Sequence, residues 1–290
     1  MSSPFVLGVD IGGSHITTAL VDVDKRILVP DSIHRKLIDS KDKSTNILDA
    51  WSEVINQSFK NYPVLKKEIG IAMPGPFDYK NGICLIKEQD KFLSLYRCNI
   101  KVELAKRLAI STSTIHFIND AAAFLQGEVF AGGAKGAARV LGFTLGTGLG
   151  SSICIHGKAR DAALWKAPFL GGMAEDYLST KWFVYRYHQL TGNRLSGVKE
   201  LAALVALNGY AKQVFKEFGE NFAKFIMPLI EQHQAEVIIL GGNITQAFSI
   251  FAPNLIHILR QNKFNTNIEA TTLNEHATLI GAASCCQIVS

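Results

Sequence analysis

At 290 residues, with 48% hydrophobic and 19% charged side chains, the chain is long enough to bury one or two ordinary domain cores and too apolar for a disordered scaffold. Its net charge of +5 comes from Lys and Arg spread along the sequence, which gives no basic stripe for nucleic acid, and no stretch reaches the roughly 18 apolar residues of a membrane span. Five cysteines, an odd number without a C-x-x-C pair, argue against a disulfide framework or a thiolate zinc site. With no basic leader ahead of Asp10, the expectation is a cytoplasmic protein that is neither exported nor inserted in a membrane.

The first segments read as strands: Phe5 to Asp10, a Gly12-Gly13 turn, Ile16 to Val21, an Asp24-Lys25 turn, then Arg26 to Pro30. Ile47, Leu48, Trp51, Val54, Ile55 and Phe59 then fall on one face of a 3.6-residue repeat, with Ser44 as N-cap, so a helix packs on this sheet. A strand from Ile69 to Met73, a Pro74-Gly75-Pro76 loop, a turn at Asn81-Gly82, a helix from about Asn99 and a strand from Ile115 to Ile118 follow. Asp120 to Ala131 reads as a helix, and Ala138 to Ile155 as two strands joined by a glycine-rich turn. Helices are expected over Tyr177 to Gln189, Ser196 to Leu207 and Ala211 to His233, the last kinked or split at Pro228. A buried strand, Val237 to Leu240, leads into Gly241-Gly242-Asn243, and a helix runs from His276 to Cys286.

Sliding the sequence by 134 positions lays Leu7 to Gly12 over Leu141 to Gly146 and carries the apolar match as far as Val21 over Ile155. The period is far too long for a solenoid and indicates two related hairpins. In the first, Asp10-Ile11-Gly12-Gly13-Ser14 sits between strands, where glycines let backbone N–H groups approach a phosphate and Ser14 adds a hydroxyl. Asp10, ending a buried strand, is suited to hold Mg²⁺ through water. In the second, Thr144 and Thr147 add hydroxyls around Gly146 and Gly148. Asn119-Asp120 stands where a strand gives way to a helix; Asp120 is either a helix cap or a proton acceptor for a hydroxyl nucleophile, with Asn119 orienting the same molecule. His15, His116 and His156 pair with no His or Cys at ligand spacing, and the aromatic run Trp182, Phe183, Tyr185, Tyr187 reads as helix packing.

These segments resemble the ROK family (repressors, open reading frames and kinases), within the superfamily of sugar kinases, actin and heat-shock chaperones. The likeness rests on D-I-G-G-S at Asp10, M-P-G-P-F at Met73, F-I-N-D-A at Phe117, the turn Thr144 to Gly150, V-I-I-L-G-G-N at Val237 and Gly281 to Ala283. It implies a two-lobed α/β actin-like ATPase (ribonuclease H-like) fold with a nucleotide cleft between the lobes. The lobes would be 1–118 plus 276–290 and 119–275, with a hinge near 118–120. It also implies an ATP-dependent kinase acting on a hexose-like sugar: Mg²⁺ near Asp10; phosphates on Gly12, Gly13, Ser14, Thr144, Gly146, Thr147 and Gly148; the nucleoside near Gly241, Gly242 and Asn243. Asp120 would be the general base, and Gly75, Asn119, Asp120 and Glu175 sugar contacts.

One segment departs from the family pattern. Where relatives carry G-E-x-G-H, this chain reads Ala174-Glu175-Asp176-Tyr177-Leu178, with Leu178 in place of the histidine, and the C-x-C-G-x-x-G-C motif is missing. No zinc site is therefore expected, and the region should be held by packing around Trp165, Phe169 and Trp182. The other reading of the same pattern is a catalytically weak sugar sensor; a repressor would need a DNA-binding segment ahead of Asp10. The expected partners are a small sugar and ATP, with no nucleic acid and no membrane, and the family and the aromatic helix suggest a homodimer.

Overall fold

The computed structural model describes residues 4–60, 62, 66–88 and 90–288. The chain runs β1 (Phe5–Ile11), β2 (His15–Asp22), β3 (Ile27–Leu28), β4 (His34–Leu37), α1 (Ser44–Lys60), β5 (Ile69–Met73), β6 (Phe77–Asp78), β7 (Ile83–Cys84), α2 (Ile100–Leu108), β8 (Ile115–Asn119) and α3 (Asp120–Ala131). It continues with β9 (Arg139–Leu145), β10 (Leu149–Ile155), β11 (Lys158–Asp161), β12 (Pro168–Phe169), β13 (Gly172–Met173), α4 (Ala174–Tyr177), α5 (Thr180–Thr191), α6 (Val198–Leu204), α7 (Gly209–His233), β14 (Val237–Gly241), α8 (Phe248–Gln261), β15 (Asn267–Ala270) and α9 (His276–Ile288). No helix among the described residues is long and apolar enough to cross a membrane.

Two compact units result: residues up to Lys135 with those from Glu275 onward, and Gly136–Asn274. The first division falls after α3, not before it as the sequence suggested, because α3 belongs with α9. A Cβ placed on Gly281 would stand 1.8 Å from the Ala123 carbonyl oxygen, and one on Gly127 would stand 2.0 Å from that of Ala277. Only glycine lets the two backbones come this close. The chain passes between units at 135/136 and 274/275, so the hinge expected at 118–120 lies inside the first unit.

The first unit's sheet has the order β3-β2-β1-β5-β8, with β4 also on β2. β1 and β2 form an antiparallel hairpin in which Asp10 faces Thr17, while β5 and β8 run parallel to β1. Parallel pairing brings three carboxyl ends to one edge, with Asp10 beside Ala72 and Met73 beside Asn119. α1 packs on this sheet through the expected face, with Trp51 and Ile55 fully buried; each such side chain contributes about 1.5–3 kcal/mol of apolar burial.

The second unit's sheet has the order β11-β10-β9-β14-β15, the first sheet's topology repeated. Pairing corrects the sequence alignment in one respect. Ile11 faces Ile16 in the first hairpin, but Leu145 faces Leu149 in the second, so the second turn is one residue shorter and Ile155 corresponds to Asp22. The core here is a pile of phenylalanines from β9, α5, α7 and α8, with Phe183 and Phe218 rings 4.5 Å apart. Trp182, Phe183 and Tyr187 are buried in it and Tyr185 is exposed. Trp165, expected to pack the altered segment, is also exposed; Phe169 and Trp182 do pack there. α7 runs through Pro228 without a break.

Candidate active site

In the first unit the glycine turn is held at its base by the Gly12 N–H, which donates to the His15 carbonyl at 2.9 Å. The Ser14 carbonyl accepts from the Ile38 N–H at 3.0 Å, tying the turn to the end of β4. The N–H groups of Gly13 and Ser14 have no partner among the described residues. Unpaired amides such as these are donors that an anion can satisfy. The space beside Gly13 is filled by Lys91, whose Cδ would lie 3.4 Å from a Cβ there. Lys91 precedes Phe92, a left-handed residue whose buried ring packs edge-on against Trp51. Burial and the neighbouring Arg35 lower the His15 pKa, so this imidazole is neutral at pH 7.

Asn119 and Asp120 divide the work at the start of α3. Asn119 is the N-cap, its Oδ1 accepting from the Ala122 N–H at 3.1 Å, while Asp120 Oδ1 accepts from the Ala121 N–H at 2.8 Å. Capping therefore falls to the buried Asn119, and the Asp120 side chain is exposed at a helix N-terminus, where a carboxylate is favoured. Asn119 is fixed from its other end: its Nδ2 donates to the Tyr79 hydroxyl at 3.1 Å, which donates to the Met73 carbonyl at 3.0 Å. A Cβ on Gly75 would lie 3.3 Å from the same hydroxyl, so Gly75 stands in this cluster too. Asp10 is partly buried. Burial first, and then the Asp120 carboxylate, hold the Asp10 carboxyl up at about 7 against the pull of Arg35.

In the second unit the turn from Leu145 to Leu149 is closed by the Gly146 N–H donating to the Gly148 carbonyl at 3.1 Å. The amides of Thr147 and Gly148 have no partner among the described residues, matching Gly13 and Ser14. Thr144 pairs with Gly150 on one side and Gly241 on the other. Gly242 has φ +84, and a Cβ on it would come 2.4 Å from the Leu145 carbonyl oxygen, so both its conformation and its neighbour require glycine. Asn243 follows at the start of a short 3₁₀ turn. The Glu175 carboxylate lies against the glycine turn, accepting from the Leu149 N–H at 2.9 Å.

The ROK family model matches residues 6–163, more than half of the chain. The chain belongs to the ROK family. The glucokinase of Thermotoga maritima is 26% identical over 96% of both chains. An N-acetylgalactosamine kinase of a Shewanella species is 25% identical over 84% of this chain and 83% of its own. A ROK family glucokinase from Streptomyces griseus, solved with glucose and AMPPNP, superposes with a TM-score of 0.77 at 21% identity, covering 98% of this chain and 99% of that one. Both units thus form the two-lobed actin-like fold of these sugar kinases.

For this ROK chain the residues singled out from sequence gather into two clusters, one within each unit. Asp10, Gly12, Gly13, Ser14, Gly75, Asn119 and Asp120 cluster in the first; Thr144, Gly146, Thr147, Gly148, Glu175, Gly241, Gly242 and Asn243 cluster in the second. Among the described residues no group of three or more His, Cys, Asp or Glu side chains could hold a metal ion. Asp10 nonetheless suits a magnesium ion carried by phosphates and water, because a cation would offset the burial and, after it, the Asp120 repulsion that raise its pKa. Sequence reasoning missed Tyr79, Lys91 and Thr180. Only Tyr79 left a trace there, as an aromatic close behind the M-P-G-P-F loop.

Proposed function

We propose that this chain transfers the γ-phosphoryl group of ATP to a hydroxyl of a hexose or hexose-like sugar, with Asp120 as general base. The enzyme class is carbohydrate kinase, a phosphotransferase with an alcohol acceptor. The observation that carries the reading is the arrangement at the start of α3: Asn119 caps the helix and is fixed by Tyr79, and the exposed Asp120 carboxylate acts on Asp10. A carboxylate at this position accepts the proton as the sugar oxygen attacks in line, and Asn119 and Gly75 orient the sugar.

The unpaired amides of Gly13, Ser14, Thr147 and Gly148 bind phosphate oxygens, the hydroxyls of Ser14, Thr144 and Thr147 add donors, and Gly241, Gly242 and Asn243 contact the nucleoside. Asp10 would hold magnesium through water, and the ion would supply charge neutralisation for the transferred group. Glu175 offers a further contact to sugar hydroxyls. The named activities of the Thermotoga and Shewanella relatives support both plain hexoses and N-acetylhexosamines as acceptors.

ADP release from MgATP across hexoses, N-acetylhexosamines and polyols tests the reading. One sugar class should give a signal that falls about 10²-fold or more in Asp120→Asn while nucleotide binding persists. Retained turnover removes Asp120 as the base. Silence across the panel with nucleotide still bound favours a sugar sensor, the reading to which Leu178 in the altered segment points.

A further inference from the structure

The second glycine turn is held from outside its sheet by three hydrogen bonds, all from the stretch Glu175 to Thr180. The Leu149 N–H donates to Glu175 Oε2 at 2.9 Å. The Thr180 N–H donates to the Gly146 carbonyl at 2.8 Å, and its hydroxyl donates to the same oxygen at 2.9 Å. One end of the turn is fixed through Gly146 and the other through Leu149. Between them lie the two unpaired amides, of Thr147 and Gly148.

The stretch is built to hold this position. Thr180 is the first residue of α5, where N–H groups lack intrahelical acceptors, and one of these goes to Gly146. Ala174 and Leu178 are fully buried in the unit's core, so the corner between α4 and α5 is pinned on both sides of Glu175 by apolar burial. The fit to the turn is close: a Cβ on Gly148 would come 2.6 Å from Glu175 Oε2. Leu178, which the sequence marked as a departure, is therefore an anchor of the segment that shapes the turn.

We propose that Thr180 and Glu175 are positioning residues of the phosphate turn, so that the stretch read above as contacting the acceptor is also the scaffold that shapes the donor's binding loop. What the turn binds rests on the kinase reading; the brace does not. With Oε2 committed to Leu149, an acceptor hydroxyl meets a Glu175 carboxylate already locked in orientation.

Two measurements test this. In the first, a fluorescent ATP analogue is titrated without sugar. Thr180→Val keeps the N–H and loses the hydroxyl, and should weaken binding about fivefold, the worth of one hydrogen bond, while the sugar KM stays within about twofold and Thr180→Ser recovers the affinity. Glu175→Ala should lose about tenfold, and Glu175→Gln, which keeps an acceptor for Leu149, should not.

In the second, hydrogen exchange over residues 144–150 reads the turn with no ligand and no turnover. Faster exchange in Thr180→Val and Glu175→Ala, but not in the two conservative variants, supports the brace. Unchanged exchange in folded Thr180→Val, or an effect confined to the sugar KM, overturns it. A wild-type protein that transfers no phosphate would defeat the kinase reading, and the exchange result would still decide the brace.

Discussion

The turn between β1 and β2 and the turn between β9 and β10 occupy the same place in two sheets of identical strand order, and each leaves two adjacent amides unpaired. Their surroundings differ. The first is dressed in charge: Asp10 with Asp120 near it, Arg35 within range, and Lys91 lying along Gly13. The second is dressed mainly in neutral donors, the hydroxyls of Thr144 and Thr147, and is shaped from behind by Glu175 and Thr180. Repeated topology thus supplies the same pair of unpaired amides twice among the described residues, and the side chains around them differ, charged at one turn and mainly neutral at the other.

The units also differ in how their scaffolds pack, and the largest effect should come from that difference. Gly281→Ala drives a methyl group into backbone atoms, 1.8 Å from the Ala123 oxygen and 2.6 Å from the Gly127 nitrogen, and should cost about 3–5 kcal/mol. Gly219→Ala in α7 meets the Phe251 backbone oxygen at 2.9 Å, a milder clash, and should cost about 1–2 kcal/mol, since alanine's helix propensity offsets part of it. Urea unfolding followed separately by Trp51 and Trp182, which report the first and second units, would break the comparison if both variants lost equally.

Next in size is a pH effect belonging to the first turn alone. The folded-state pKa of Asp10, about 7, lies above the ordinary 3.8, so ionising it costs stability. The cost is absent below about pH 4, grows between pH 4 and 7, and is constant above that. Asp10→Asn should therefore stabilise the ligand-free protein at pH 8 relative to pH 4, by at most about 4 kcal/mol. Thr144→Val, at the matching position of the second turn, should show no such pH dependence in thermal unfolding.

The smallest effect concerns the exposed Arg35–Glu275 pair, 3.5 Å apart, which contributes to the field at Asp10. Glu275→Gln should change stability by under about 1 kcal/mol, yet move the Asp10 titration, followed by carbon NMR, to lower pH.

Both hairpins, α1 and the strands leading to Asp10 and Asn119 were legible in the sequence because apolar periodicity and glycine turns are local signals. The helix Phe248–Gln261 was not, because Pro253 sits inside it; Phe251, Ala252, Leu255 and Leu259 form a buried face that overrides the lost hydrogen bond. β4, with the sequence His-Arg-Lys-Leu, carries no apolar alternation and is a strand because it pairs with β2. In the candidate site, residue types and turn spacing pointed to Asp10, Asp120 and the glycines. The contacts of Glu175 with Leu149, Thr180 with Gly146 and Tyr79 with Asn119 join residues 26 to 40 apart, and no local pattern announces them.

The glycine contacts of α9 reach beyond stability. A Cβ on Gly8 of β1 would strike the Leu279 oxygen at 2.1 Å, and one on Gly70 of β5 would strike the Ala282 oxygen at 1.8 Å. The helix seated on the first strand of the protein is therefore encoded some 270 residues downstream of it. On a translating ribosome the unit begun first is completed second: Gly136–Asn274 is contiguous and can close as it emerges, while the sheet holding Asp10 waits with one face uncovered until α9 has been made. The sheet that carries Asp10 is thus completed last.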